Sequence, residues 1–155
     1  MEKVNFKKLL LLNISNNYIN DIQILENLNF IHLNEVDLSI NSISDIKVLE
    51  KVNMKELIKL DLINNKISDI KTLENGNFNN LQKLYLGYNQ ISNIKVLEKC
   101  NFKNLKELDL SNNEISDIKI LENFNFMELQ KLDLSHNQIS NIKITERVNL
   151  KELRE

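Results

Sequence analysis

The chain has 155 residues, with 20 basic and 22 acidic side chains and a formal net charge of −2. That length suits one domain with a core, and the charge balance argues against nucleic acid or a membrane surface as partner, because both favour a basic excess. No apolar run is long enough for a membrane span, and the leucines at 9–12 are too few for a signal peptide. The single Cys100 allows no internal disulfide. We therefore expect a cytoplasmic protein.

A repeat of 24 residues runs through the sequence without insertion or deletion. Stepping by 24 gives Asn at 17, 41, 65, 89, 113 and 137, Glu at 26, 50, 74, 98, 122 and 146, and Ile at 19, 43, 67, 91, 115 and 139. The chain therefore holds six repeats and a fragment of a seventh, and we expect residues 1–155 to form one domain.

The first predicted element of each repeat, taken in chain order, is a short strand. In the fifth repeat Leu108 and Leu110 alternate around Asp109, which is the period-2 pattern of a strand with one buried face. One such unit cannot bury its own apolar side. Stacked units can, because each leucine or isoleucine column then becomes a continuous core beneath a parallel sheet with strands ~4.8 Å apart.

The second predicted element is a short helix or 3₁₀ turn. Ile115, Ile118 and Leu121 are spaced by three residues, a helical or 3₁₀ spacing. Either Ser116 or Asp117 can cap this element by accepting a backbone N–H. Each repeat is thus predicted to be one strand followed by one helical turn.

The pattern LxxLxLxxNxI resembles the leucine-rich repeat family over the whole chain, with Val36 a conservative departure at one leucine position. The half-repeat NxISDIKxLE is similar to the short repeats of bacterial internalins and nuclear protein-phosphatase regulators, which usually run to ~22 residues. The resemblance implies a curved α/β solenoid with a parallel sheet on its concave face and short helices on its convex face. It also implies non-catalytic binding of a protein or peptide through the concave sheet.

Three recurring positions favour structural roles over binding roles. The Asn column could hold ligands or glycans, but Asn amides also replace backbone partners where strands end, and we expect each amide to reach the next repeat. The aromatic column could form a binding box, but a core spine is favoured; it comprises Phe6, Phe30, Phe78, Phe102 and Phe126, with Met54 and Leu150 in phase. Cys100 shares its phase with apolar residues, so we expect a half-buried small hydrophobe.

The Glu column, from Glu26 to Glu146, has two interpretations. Each carboxylate could face the lysine three residues earlier, as Glu50 would face Lys47. Alternatively, each could accept backbone N–H groups in the turn that follows, and the invariance of the column favours this second interpretation.

An enzyme is not expected. His32 and His136 lie at different phases of the repeat, and His136 follows Ser135 and Asp133 within one strand-to-turn segment, which is not the geometry of a catalytic triad. The sequence has no metal-ligand cluster or phosphate-binding loop. We therefore predict no catalytic residue, no metal site and no cofactor.

If the recurring positions build the scaffold, specificity must lie at the variable positions that face outward from the strands. One column there is acidic, with Asp37, Asp61, Asp109 and Asp133; it either is tolerated at a solvated strand or attracts a basic peptide. The fourth repeat, LYLGYNQI, departs most, through an aromatic patch that either binds a partner or reflects drift among repeats. Gly87 is expected to leave a gap there. The predicted partner-binding residues are Lys59, Asp61, Ile63, Lys83, Tyr85, Gly87, Tyr88, Glu107 and Asp109.

Neither end of the sequence carries a segment of different composition that would cap a solenoid. Uncapped ends expose core and a strand edge. The alternative hypothesis is therefore a structural or regulatory segment of a larger repeat protein, which forms homodimers through its ends.

Overall fold

The computed structural model describes residues 5–123 and 127–141. They contain one parallel sheet whose six strands follow chain order and pair at an interval of 24 residues, so that Leu60 lies beside Leu84 and Leu84 beside Leu108. This confirms the predicted sheet. The seventh repeat fragment, Phe126 and Leu150 lie outside the described residues. The strands are β1 (Leu11–Asn13), β2 (Glu35–Asp37), β3 (Lys59–Asp61), β4 (Lys83–Tyr85), β5 (Glu107–Asp109) and β6 (Lys131–Asp133).

A short helical element follows each of the first five strands. One is a single α-helical turn, α1 (Thr72–Asn75), and the others are 3₁₀ helices at Gln23–Asn27, Lys47–Glu50, Lys95–Lys99 and Lys119–Asn123. The helices of the described segments are all far too short to span a membrane.

The helical element in the fifth repeat is shorter than the spacing of apolar residues predicts. It begins at Lys119, so Ile115 and Ile118 are buried in the segment that leads into it. Of the two candidate capping residues, Asp117 accepts the backbone N–H of Lys119 at 3.0 Å, so it closes a turn just before the helix rather than occupying the N-cap position. The three-residue spacing therefore reports which side chains reach the core rather than the length of the helix.

The core lies between the sheet and the helical turns. The central residues of β2 to β5 are buried, as are the Leu and Ile columns beside them. Phe30, Met54, Phe78 and Phe102 are at most 3% exposed, and the ring centroids of Phe78 and Phe102 are 6.5 Å apart. The aromatic column is therefore a core spine from Phe30 to Phe102, as predicted, whereas Phe6 at its start is 41% exposed. Each fully buried Leu, Ile or Phe contributes roughly 1.5–3 kcal/mol, so stacking of repeats supplies most of the favourable folding energy.

The Asn column joins neighbouring repeats from within the core. Asn89 Oδ1 accepts the N–H of Ile67 at 3.0 Å, while its Nδ2 donates to the carbonyls of Leu62 and Leu86, both at 3.0 Å. Ile67 and Leu62 belong to the preceding repeat, so the expectation that each amide reaches the next repeat was wrong in direction. These buried amides supply partners to backbone groups that lie beyond the ends of the strands.

The Glu column also joins repeats, but in a way that neither interpretation of the sequence predicted. Glu26 pairs with Lys51 at 3.1 Å and Glu74 with Lys99 at 3.4 Å, while Glu50 accepts a 3.5 Å bond from Asn75. In each case the partner is the side chain 25 residues further on, not the lysine three residues earlier or a backbone N–H. These half-exposed contacts run along the helical side and contribute only a few tenths of a kcal/mol each.

Candidate partner-binding surface

Six of the predicted binding residues lie side by side on strands β3, β4 and β5. The register aligns Lys59 with Lys83 and Glu107 in one row, and Asp61 with Tyr85 and Asp109 in the next. Their side chains point away from the core because the residue between them on each strand is the buried leucine. The outward side chains of the six strands are called the sheet face below.

Tyr85 is held in place by two neighbouring strands. Its hydroxyl donates a 2.6 Å hydrogen bond to Glu107 Oε2, and Lys83 Nζ lies 2.8 Å from the other oxygen of the same carboxylate. On the opposite side, Lys59 Nζ lies 5.4 Å from the centre of the Tyr85 ring and 3.5 Å from Asp61 Oδ2. These contacts fix an aromatic ring, with both its polar tip and one face engaged, at the middle of the sheet face.

The same contacts determine which groups are charged. Burial raises the pKa of Tyr85, and the hydrogen bond to Glu107 raises it further. The Glu107 pKa is lowered, first by the hydrogen bond from Lys83 and then by the one from Tyr85. Burial also raises the pKa of Asp61, although the N–H of Ile63 opposes this shift. At neutral pH Tyr85 is therefore a neutral donor to an ionised Glu107.

The acidic column has a structural role that the sequence analysis missed. The Oδ1 atom of each aspartate accepts the backbone N–H two residues later, from Ser39 at 3.0 Å, Ile63 at 3.2 Å, Ser111 at 2.9 Å and Ser135 at 2.9 Å. Each aspartate thus closes a turn where its strand ends. The recurring DxS sequence was a signal for this turn at Asp37, Asp109 and Asp133. Asp side chains at these positions stabilise the turn, whatever they also offer to a partner.

Gly87 does not leave the gap that was predicted beside Tyr85. A Cβ built there would lie 3.0 Å from Ser111 Oγ and 3.1 Å from each carboxylate oxygen of Asp109. The space is therefore occupied by side chains of the next repeat. Glycine at this position lets the Asp109 carboxylate lie close to the backbone.

Tyr88 was predicted to lie on the strand, with its side chain on the sheet face. It lies instead in the turn that follows β4. Its φ is 55°, in the left-handed region, and the residue is 58% exposed. The chain turns after the second leucine of each repeat, which also leaves Ile63 half-buried at the start of that turn. The equivalent residues share this conformation with φ between 51° and 55°, and are called the left-handed row: Asn16, Ile40, Asn64, Tyr88, Asn112 and His136.

Ser135 and Cys100, which carry potentially nucleophilic groups, both lie within the described residues. No group of three or more His, Cys, Asp or Glu residues there could hold a metal ion. Ser135 Oγ donates to Asp133 at 2.6 Å, as part of the turn that this aspartate closes. Burial raises the pKa of Cys100 to about 12, so its thiol is un-ionised at neutral pH and behaves as the small hydrophobe expected.

Comparison with known families identifies the repeat. A model described as leucine-rich repeats in two copies matches residues 79–124, and a single leucine-rich repeat model matches residues 128–142. Together with the parallel solenoid sheet, these matches support a leucine-rich repeat family for the chain; members of this family are generally non-enzymatic interaction modules. The sheet face is the concave face of this fold. None of the curated protein sequences matches the chain.

Several solved structures share the fold. An internalin, InlF, from Listeria monocytogenes is 29% identical with a TM-score of 0.78, over 95% of this chain and 40% of that one. The internalin InlC2 from the same species is 26% identical with a TM-score of 0.68, over 97% of this chain and 74% of that one. The plant peptide hormone receptor RGFR1, solved in complex with RGF2, is 22% identical with a TM-score of 0.64, over 90% of this chain and 22% of that one. The chain thus spans about 40% of the length of InlF.

Proposed function

We propose that the chain is a non-catalytic interaction module that binds a protein or peptide through its concave sheet face, at a site centred on Tyr85. The observation that carries this proposal is the fixed position of the Tyr85 ring, between Lys59 on one strand and Glu107 on another. The partner would contact Lys59, Asp61, Lys83, Glu107 and Asp109 around that ring. Ile63, Gly87 and Tyr88 would form the margin of the site at the adjoining turns.

A fixed aromatic side chain suits binding because its ordering cost is already met in the free protein. A rotamer-rich side chain loses about 0.5–1.5 kcal/mol when it is immobilised at an interface. Tyrosine is also enriched among the residues that dominate binding energy, and lysine–carboxylate pairs around it exclude water while leaving polar groups at the rim. The kinship with internalins and the likeness to a receptor solved with RGF2 support a protein or peptide partner.

Affinity capture with matched tyrosine variants tests this function. The wild-type chain, Tyr85→Ala with Tyr88→Ala, and Tyr18→Ala would each be immobilised and exposed to lysate of the source organism, with captured proteins identified by mass spectrometry. Tyr18 is 97% exposed and lies outside the sheet face, so it controls for loss of a surface tyrosine. We expect capture by the wild type and by Tyr18→Ala but not by the double variant, with melting temperatures within a few degrees. Equal capture by all three would mean that the aromatic patch reflects drift among repeats.

Self-association is a second candidate function, favoured by the exposed apolar residues Leu10 and Leu11 at β1. Among the described strands, β1 has a neighbour on one side only, so its other edge could pair with a second copy. Light scattering over a range of concentrations would show a mass that rises towards the dimer. A constant monomer mass at high concentration would exclude this candidate. The cytoplasmic location stays a prediction.

A further inference from the structure

The left-handed row alternates between two kinds of residue. The first, third and fifth repeats place Asn there, which tolerates positive φ well, whereas the second and fourth place Ile40 and Tyr88. A β-branched or bulky residue at positive φ is a strained choice. Ile40 and Tyr88 are therefore disfavoured by the backbone that holds them.

Burial does not compensate for this choice. Ile40 is 46% exposed and Tyr88 is 58% exposed, so neither contributes much to the core. Asn64, between them, shows that a short polar side chain holds the same turn at a φ of 54°. Large exposed side chains at positions where the backbone disfavours them point to a contact with another molecule.

The spacing between the Ile40 and Tyr88 side chains limits what could bind both of them. They occupy equivalent places on repeats two apart, so with strands ~4.8 Å apart they are separated by ~9.6 Å, with the shorter Asn64 between them. A polyproline II chain rises ~3.1 Å per residue with three residues per turn, so its side chains i and i+3 lie on one face ~9.3 Å apart. The corresponding α-helical spacing, seven residues at ~1.5 Å, is ~10.5 Å and fits less well.

Two aspartates near Ile40 and Tyr88 indicate the charge of the partner. Asp37 precedes Ile40 by three residues, and the Asp109 carboxylate lies over Gly87, which adjoins Tyr88. Within the described segments, no Lys, Arg or His forms an ion pair with either of these two aspartates, unlike Asp61, which pairs with Lys59. A partner with Lys or Arg side chains would complement both.

We propose that Ile40 and Tyr88 anchor a cationic peptide segment in polyproline II conformation, which lies across the strands and presents apolar side chains three residues apart. This inference rests on the proposed function and names a partner that would lie along the turns bordering the sheet face. Selection of a displayed random-peptide library on the wild-type chain tests it. The selected peptides would then be measured against Ile40→Asn with Tyr88→Asn, and against Tyr18→Asn as the control.

We expect enriched peptides with Lys or Arg and an apolar pair at three-residue spacing. Their Kd should rise at least about tenfold with the double Asn variant and stay unchanged with Tyr18→Asn. The melting temperature of the double variant should rise by about 2–4 °C, because Asn relieves the backbone strain. A scaffold role for these residues would instead lower it.

Two other outcomes overturn the proposal and separate it from the proposed function. Peptides that bind the wild type and the double Asn variant equally, or that show a seven-residue spacing, would overturn this inference. If Tyr85→Ala still abolished their binding, the concave face would remain the binding surface. Peptides that are unaffected by Tyr85→Ala as well would overturn both.

Discussion

The hydroxyl of Tyr85 donates a 2.6 Å hydrogen bond to Glu107 on the neighbouring strand, and Lys83 binds the same carboxylate. Tyr85→Phe keeps the ring and removes only this donor. Because the hydrogen bond helps to lower the pKa of Glu107, we expect that pKa to rise in the variant. A carboxyl-carbon NMR titration measures it directly. An unchanged Glu107 pKa would show that the hydroxyl does not engage the carboxylate in solution.

The lowered pKa of Glu107 also links stability to pH. A carboxylate whose pKa is depressed by folding stabilises the protein above its unfolded pKa, and loses that contribution as the pH falls through the folded value. We therefore expect Glu107→Gln to be less stable than the wild type at neutral pH. The difference should shrink as the pH falls below the ordinary Glu value of 4.5. Urea unfolding at a series of pH values checks this, and a difference independent of pH would contradict it.

Asn89 serves as a buried connector between repeats. Asn89→Ala leaves the N–H of Ile67 without a partner, whereas the carbonyls of Leu62 and Leu86 each keep a hydrogen bond from another Asn of the column. An unsatisfied buried donor costs about 1–3 kcal/mol, so we expect the free energy of unfolding to fall by about that amount. Asn17→Ala is the matched control, since Asn17 is exposed and should cost much less. If chemical denaturation gave equal losses of unfolding free energy for both variants, burial of the Asn side chain would not determine its contribution to stability.

Cys100 is predicted to be chemically inert in the folded protein. Its pKa is raised to about 12 from an ordinary value of 9.0, so its thiolate fraction near pH 8 falls by roughly two to three orders of magnitude. Labelling with a thiol-specific disulfide reagent should be correspondingly slow, and rapid after unfolding in denaturant. Fast labelling of the native protein would show that the thiol is accessible and ionised.

The scaffold could be predicted from the sequence because stacking imposes the same demand on every repeat. The alternation of Leu108 and Leu110 gave the strand, and the 24-residue interval gave the register that sets Tyr85 beside Asp109. The composition of the site could be predicted for the same reason, since outward residues on neighbouring strands must lie in rows.

The local geometry could not be predicted in the same way. The left-handed φ of Tyr88 depends on where the chain leaves the strand, and Ile40 gives no local sign of it, because such residues rarely adopt that conformation. The contact of Glu26 with Lys51 joins positions 25 residues apart, an offset that the period alone does not distinguish from contacts within a repeat. The carboxylate of Asp109 over Gly87 depends on side-chain rotamers, which no sequence pattern specifies.

The binding of a partner on the concave sheet face is tested most directly by site-specific photo-cross-linking. A photoreactive amino acid would replace Lys83, which is on the sheet face near Tyr85. In a second variant it would replace Lys95, the first residue of the 3₁₀ helix that follows β4. With a captured partner bound, we predict cross-links from position 83 and none from position 95. Cross-links from position 95 alone would contradict the assignment of the concave face as the binding surface.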